Sequence, residues 1–191
     1  NELTIDIKII KNLLQEQFPV WNNLELQRIE PEGTDNVMYS LGSDKVIRLP
    51  RTKESSQNLL TEIISLKKLQ PYTTFPIPKI LGEGKPSINY PFYWIICTKL
   101  MGKNLIYKKN NLNSHKAALD LANFIIKIQS LNTNNAPQSA RHKPLVSRDY
   151  ETRKNINFCH NIFDKEILTD IWKSSLGAKN WGRPPVWIHG D

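Results

Sequence analysis

Apolar residues recur at helical spacing near the start of the chain. Ile9, Leu13 and Leu14 share one side of a segment from Ile5 to Phe18, and Pro19 lies just beyond it. The period then changes. Leu24 to Ile29 alternates like a strand, Glu32-Gly33-Thr34-Asp35-Asn36 is a polar turn cluster, and Val37 to Leu41 resumes the alternation. Gly42-Ser43-Asp44 marks a tight turn before a third strand, Lys45 to Leu49. Lys53 to Leu69 returns to helical spacing, with Leu59, Ile63, Leu66 and Leu69 on one face, and Pro71, Pro76 and Pro78 end it. Ile80-Leu81 and Tyr93 to Cys97 read as two further strands around a loop holding Gly82 and Gly84.

Beyond Met101-Gly102 the pattern is helical. Ala118, Leu121, Ile125 and Ile128 line one face of Ser114 to Leu131. A loop rich in Asn, Pro and Ser follows from Asn132 to Pro144, then two helices, Arg148 to Phe163 and Lys165 to Leu176. Gly182, Pro184 and Pro185 form a connector into the short apolar run Val186-Trp187-Ile188, read as a buried strand. The expected fold is α+β: a five-stranded antiparallel sheet with one inserted helix, then a hinge, then helices. Residues 1–101 form the expected first lobe and residues 102–191 a partial helical second lobe, with Gly102 at the boundary. This is the layout of a two-lobed kinase, and layout alone assigns no function.

Composition changes this picture little. The 191 residues are 39% hydrophobic and 23% charged, as in an ordinary globular protein. The net charge of +8 raises nucleic acid as a partner, but the Lys and Arg are dispersed, and the densest run, Lys103 to Lys109, lacks the aromatic ladder of single-strand binders. Cys97 and Cys159 belong to no CxxC pair, which excludes a zinc site or disulfide framework of the usual spacing. Cys97, in an apolar run, is expected to pack as a small hydrophobe. His115, His142 and His160 have no metal-ligand spacing. No apolar stretch approaches the ~20 residues of a membrane helix. No leader is visible, and the expected setting is the cytoplasm. The chain begins at Asn1 rather than Met, so one or both ends are expected to be trimmed.

Four features carry candidate chemistry. The turn Gly33-Thr34-Asp35-Asn36 has small and polar residues that let backbone N–H groups or the Thr34 hydroxyl approach phosphate oxygens. An ordinary hairpin turn is the alternative. Arg48, in Val46-Ile47-Arg48-Leu49-Pro50, places a cation on a strand facing the cleft under that turn. An exposed strand arginine is the alternative. Glu62, beside the apolar stripe of its helix, is an acid within reach of a strand cation, with Glu54 as its rival. Asp191, in the terminal His189-Gly190-Asp191, is a carboxylate where the chain leaves an apolar run, and it could accept the proton of an acceptor hydroxyl.

Taken in order, these segments resemble the aminoglycoside-phosphotransferase superfamily, which includes choline-kinase-like and macrolide-kinase-like enzymes. The resemblance rests on residues 33–39, then 46–51, then Phe75-Pro76-Ile77-Pro78-Lys79. It continues in Pro144-Leu145-Val146 with Arg148-Asp149 and Arg153, and in Pro184-Pro185-Val186-Trp187-Ile188-His189-Gly190-Asp191. It implies a kinase using ATP or GTP on a hydroxyl of a small molecule, such as an aminoglycoside, with antibiotic resistance as its role. A macrolide or a metabolite alcohol fits equally well.

The resemblance also implies roles. Asp191 would be the catalytic base, and Arg48 would stand in for the nucleotide-binding lysine with Glu62 as partner. Gly33 and Thr34 would lie over the phosphates, and Thr98 and Leu100 would be the hinge positions whose backbone groups bind the purine. The magnesium ligands of such enzymes lie beyond the aspartate, so Mg2+ would be held by residues that this chain does not include. The nucleotide and a small-molecule acceptor are the implied partners, with neither nucleic acid nor membrane. A non-catalytic nucleotide-binding remnant of a kinase is the competing reading.

Overall fold

The computed structural model describes residues 3–30, 33–73, 75–102, 113–137, 143–179 and 182–188. The chain divides into two compact units, Asn1–Pro137 and Gln138–Asp191.

The first unit starts with helix α1, Ile7–Gln17. Its onset is set by Asp6, whose carboxylate accepts from the Ile9 amide at 2.9 Å, so Ile5 lies outside the helix that the periodicity began there. Five strands follow: β1 Leu26–Arg28, β2 Asn36–Leu41, β3 Lys45–Pro50, β4 Ile80–Gly84 and β5 Trp94–Thr98. They form the expected antiparallel sheet, in the order β1-β2-β3-β5-β4. Helix α2, Lys53–Leu69, enters between β3 and β4, capped by the Thr52 hydroxyl, which accepts from the Ser55 amide at 3.1 Å.

Alternation sorts the sheet into two faces. Val37, Tyr39 and Leu41 of β2, Ile47 and Leu49 of β3, and Trp94 and Ile96 of β5 join Ile10, Leu13 and Leu14 of α1 in the larger core. The residues between them, Val46, Ile95 and Cys97, pack against Leu59 and Ile63 of α2, with Met38 partly buried beside them. Cys97 is 3% exposed and burial pushes its thiol up, so it packs as the expected small hydrophobe. The Tyr90 hydroxyl, fully buried and pushed well above its usual range by desolvation, stays protonated and donates to the Pro50 carbonyl at 2.7 Å. That bond fixes the end of β3 to the β4–β5 connection.

The loop expected around Gly82 and Gly84 is instead strand β4, with a register shift between Ile80 and Gly82. The glycines are there because neighbouring rings take their side-chain space. A Cβ on Gly84 would come within 2.0 Å of the Trp94 ring, and one on Gly82 within 2.7 Å of Phe18. Phe18 in turn meets Trp94 edge-on at 5.3 Å and stacks on Trp21 at 5.5 Å.

Helix α3, Ser114–Gln129, matches its predicted span, but of its apolar stripe only Ile128 is buried. In the second unit the long helix expected from Arg148 shortens to α4, Asp149–Phe158, after a 3-10 turn at Leu145–Arg148. Helix α5 spans Lys165–Leu176. Val186–Ile188 pairs with no strand among the described residues. Neither α4 nor α5 buries a residue fully, and polar contacts tie them: Asp149 Oδ1 accepts from the Trp172 indole at 2.7 Å and from Arg153 Nε at 2.8 Å. These two bonds, the indole one first, hold the Asp149 carboxyl below its usual range.

Two outcomes follow from this packing. Gly84→Ala forces the Trp94 ring or its strand to move and should cost about 1–3 kcal/mol, read by urea unfolding, whereas an exposed control, Gly102→Ala, with nothing within 4 Å, should cost far less. Because Asp149 is more acidic folded than unfolded, its contribution is present at neutral pH. It fades as the pH falls below about 4 and through the folded pKa. Asp149→Asn should therefore weaken the α4–α5 pairing at pH 7 and flatten its acid sensitivity, measured by Trp172 fluorescence against a Trp172→Phe control.

Candidate functional site

β3 is the central strand of the sheet, so Arg48 lies between Met38 of β2 and Ile95 of β5. It shares the face of Val46, the one covered by α2. A cation flanked by apolar neighbours on an inner strand needs a fixed partner. Glu62 supplies it: the guanidinium donates through both terminal nitrogens, Nη1 to Oε1 and Nη2 to Oε2, the latter at 2.9 Å. The Arg48 side chain is 18% exposed and that of Glu62 37%, so the pair sits at a wall rather than in the deep interior.

The register of α2 makes this pairing possible. Leu59 and Ile63 anchor the helix in the smaller core, and Glu62 follows Leu59 by three residues on the same side. The Ser56 hydroxyl accepts from the Tyr93 amide at 3.2 Å, fixing the front of α2 to the start of β5. Glu54, the rival acid, is exposed in the first turn.

The Arg51 amide donates to the Asp35 carbonyl at 3.0 Å, which extends the β2–β3 ladder one pair beyond Asn36 and Pro50. Gly33 and Thr34 are exposed. The Thr34 hydroxyl donates to Asp35 Oδ1 at 3.4 Å, a long contact that is easily exchanged. A Cβ on Gly33 would meet only an ordinary contact, with the Asn36 carbonyl at 3.7 Å.

At the far end of β5, Thr98 is committed to the neighbouring chain. Its amide donates to the Lys79 carbonyl and its hydroxyl accepts from the Lys79 amide, both at 2.9 Å. The Lys99 amide donates to the Asp44 carbonyl at 2.8 Å. Leu100, 45% exposed, is the first residue past these bonds, and its amide makes no backbone hydrogen bond among the described residues. Asp191, with His189 and Gly190, lies outside the described residues. Among the described residues no group of three or more His, Cys, Asp or Glu is placed to hold a metal ion.

The structure thus brings Arg48 and Glu62 together. It puts the Gly33–Thr34 turn at the head of β2, whose Met38 pairs with Arg48, and places Thr98 and Leu100 at the end of β5. Sequence reasoning missed the commitment of the Thr98 amide, which follows from the pairing of β4 with β5 and has no signal in local spacing.

The fold has known counterparts. The family model described as phosphotransferase enzyme family matches residues 25–191. Among solved structures, the GDP and kanamycin complex of APH(2'')-IIIa is similar with a TM-score of 0.78 at 20% identity, over 95% of this chain and 64% of that one. The streptomycin–ATP ternary complex of APH(2'')-IIa matches with a TM-score of 0.59 at 16% identity, over 92% of this chain and 60% of that one. A macrolide 2'-phosphotransferase type I matches with 0.58 at 16% identity, over all of this chain and 66% of that one. The chain therefore spans about two thirds of the length of these structures. A comparison with curated proteins gives no match. At these identities the likeness establishes the α+β, kinase-like fold, with its five-stranded sheet and a partial helical part, while the family model covers most of the chain. The chain belongs to the phosphotransferase enzyme family.

Proposed function

We propose that the protein transfers a phosphoryl group from ATP or GTP to a hydroxyl of a small molecule, an aminoglycoside-type antibiotic or one of similar chemistry. The observation that carries this reading is the bidentate Arg48–Glu62 pair on the α2-facing side of the central strand. A nucleoside triphosphate needs a fixed cation near its phosphates, and an arginine fork braced by a carboxylate is such a group. The neighbours solved with GDP, ATP, kanamycin and streptomycin support the nucleotide and the acceptor class.

In this reading Gly33 and Thr34 cover the phosphates, and the free amide of Leu100 with the carbonyl of Thr98 receives the purine edge. Asp191 takes the proton of the acceptor hydroxyl. The acceptor oxygen forms its bond to the γ-phosphorus as the bond to the β–γ bridging oxygen breaks, leaving the nucleoside diphosphate. Mg2+, when bound with the nucleotide, would neutralise charge on its phosphates. The lobe division at residues 101 and 102 and a cytoplasmic setting belong to the same proposal.

Thermal shift with ATP and with GTP tests it on the intact protein. Nucleotide at a hundred times its Kd should stabilise by about 2.7 kcal/mol, and a protein that responds to neither nucleotide sinks the reading. Arg48→Ala should remove most of the response. Arg48→Lys should restore only part, since one ammonium cannot keep the two-point bond to Glu62 and serve a phosphate as well. Asp191→Asn should leave the thermal response intact and lower kcat by about 10²–10⁴-fold, read by phosphoryl transfer to the acceptor.

A further inference from the structure

The two ends of α2 are held in different ways. Its front carries the buried residues Ser55, Ser56, Leu59 and Ile63, and past Ile63 none of its residues is fully buried. The rear is tied by its lysines instead. Lys67 pairs with Glu83 of β4, and Lys68 Nζ donates to the carbonyl of Asn134, beyond the end of α3. That second bond crosses the proposed lobe boundary between residues 101 and 102. So does the ring contact of Phe75 with Phe124 of α3, at 5.1 Å between centroids. The compact first unit runs on past that boundary to Pro137.

Both contacts are presented by local turns. The Phe75 amide donates to the Thr73 hydroxyl at 3.0 Å. Residues 133–136 form a four-residue turn, in which the Ala136 amide donates to the Thr133 carbonyl at 2.9 Å, and the Asn132 carboxamide oxygen accepts from the Asn134 amide at 2.7 Å. Asn135, third in this turn, has a φ of 58°, in the left-handed region, and Asn134 before it does not. A negative φ followed by a positive one is the type II pattern, whose central peptide is flipped relative to the commoner type I. The carbonyl of that peptide is the one Lys68 takes. Asparagine enters the left-handed region more readily than most side chains, so the turn has the residue it needs. Ile128 alone among the residues of α3 is buried, so packing by itself does little to hold this helix.

We propose that Lys68, the turn of residues 133–136 and the ring pair of Phe75 and Phe124 form a latch that holds α3 against the rear of α2 and so positions the two lobes for nucleotide. This deepens the nucleotide reading above and rests on its lobe division. One hydrogen bond and one ring pair are each weak, so the latch opens and recloses. Opening depletes the state that meets the nucleotide from both lobes, and apparent affinity falls with the fraction that remains. Saturating nucleotide restores that state, which leaves turnover unchanged.

The test uses the intact protein with Lys68→Met, Lys68→Arg, Asn135→Val and Asn135→Gly. Amide hydrogen exchange without ligand is the first readout. Lys68→Met, which removes the donor, and Asn135→Val, which disfavours the turn, should speed exchange over residues 124–136 about fivefold, the factor that one hydrogen bond's net contribution amounts to. Exchange in β3 and β5 should not change. Lys68→Arg keeps a donor and Asn135→Gly keeps the turn, so both should match wild type. Steady-state kinetics is the second readout. KM for the nucleotide should rise about two- to fivefold in Lys68→Met and Asn135→Val at unchanged kcat. Wild-type exchange over residues 124–136 in Lys68→Met overturns the latch, and so does a loss of protection spread equally over the sheet. Faster exchange there with an unchanged KM shows a structural tie only and refutes the positioning role. Asn135→Gly behaving like Asn135→Val refutes the part assigned to the turn. If the wild-type protein uses no nucleotide, the proposed function fails, and the exchange measurement still decides the latch.

Discussion

A guanidinium on the central strand of a sheet constrains everything around it. Arg48 has apolar neighbours on both flanking strands, Met38 and Ile95, so its charge has to be met by a partner from outside the sheet. That partner must arrive at one angle, because a two-point bond between a planar fork and a carboxylate tolerates little rotation. The inserted helix α2 is held from several sides to satisfy this. Thr52 sets where it begins, Ser56 fastens it to β5, and Leu59 and Ile63 lock its roll. Sliding the helix by one residue would turn Glu62 by ~100° away from the cation and break all of these at once.

The other face of the sheet makes this side available for polar work. Helix α1 and the rings of Phe18, Trp21, Tyr90 and Trp94 carry the larger apolar core. Trp94 can lie flat against β4 only because Gly84 offers no side chain, and Phe18 needs the same of Gly82. With apolar burial concentrated there, the α2-facing side holds an ion pair, Arg48 with Glu62. The Tyr90–Pro50 bond joins the two duties, since it anchors from the core side the strand that presents Arg48.

Much of this was legible in the residues. Short apolar runs bounded by turn residues identified β2, β3 and β5, and the two-residue period of a strand put Arg48 on the face of Val46. The helical stripe through Leu59 and Ile63 identified α2 and put Glu62 beside it. Where the reading went astray, a tertiary contact decided. Gly82 and Gly84 looked like loop punctuation because the rings that replace their side chains are far away in sequence. The second unit was harder for the opposite reason. Its helices α4 and α5 bury no residue fully, so their period says little about what they pack against, and the Asp149 contacts to Trp172 and Arg153 have no periodic signature. The pairing of Glu62 rather than Glu54 with Arg48 likewise needed the roll of the helix, which spacing brackets but does not fix.

An arginine at the centre of β3 has a physical consequence of its own. An ammonium is a single point charge with three donors, so bracing it with a glutamate competes with its use on a phosphate. A guanidinium separates the two tasks. Its outer edge is closed by the two oxygens of Glu62, while Nε–H remains buried, unpartnered and directed by the same planar group. Orienting the fork therefore orients the free donor. An arginine with both edges engaged would be an ordinary structural ion pair. One with its outer edge locked keeps the direction of its remaining N–H groups fixed by the same bond.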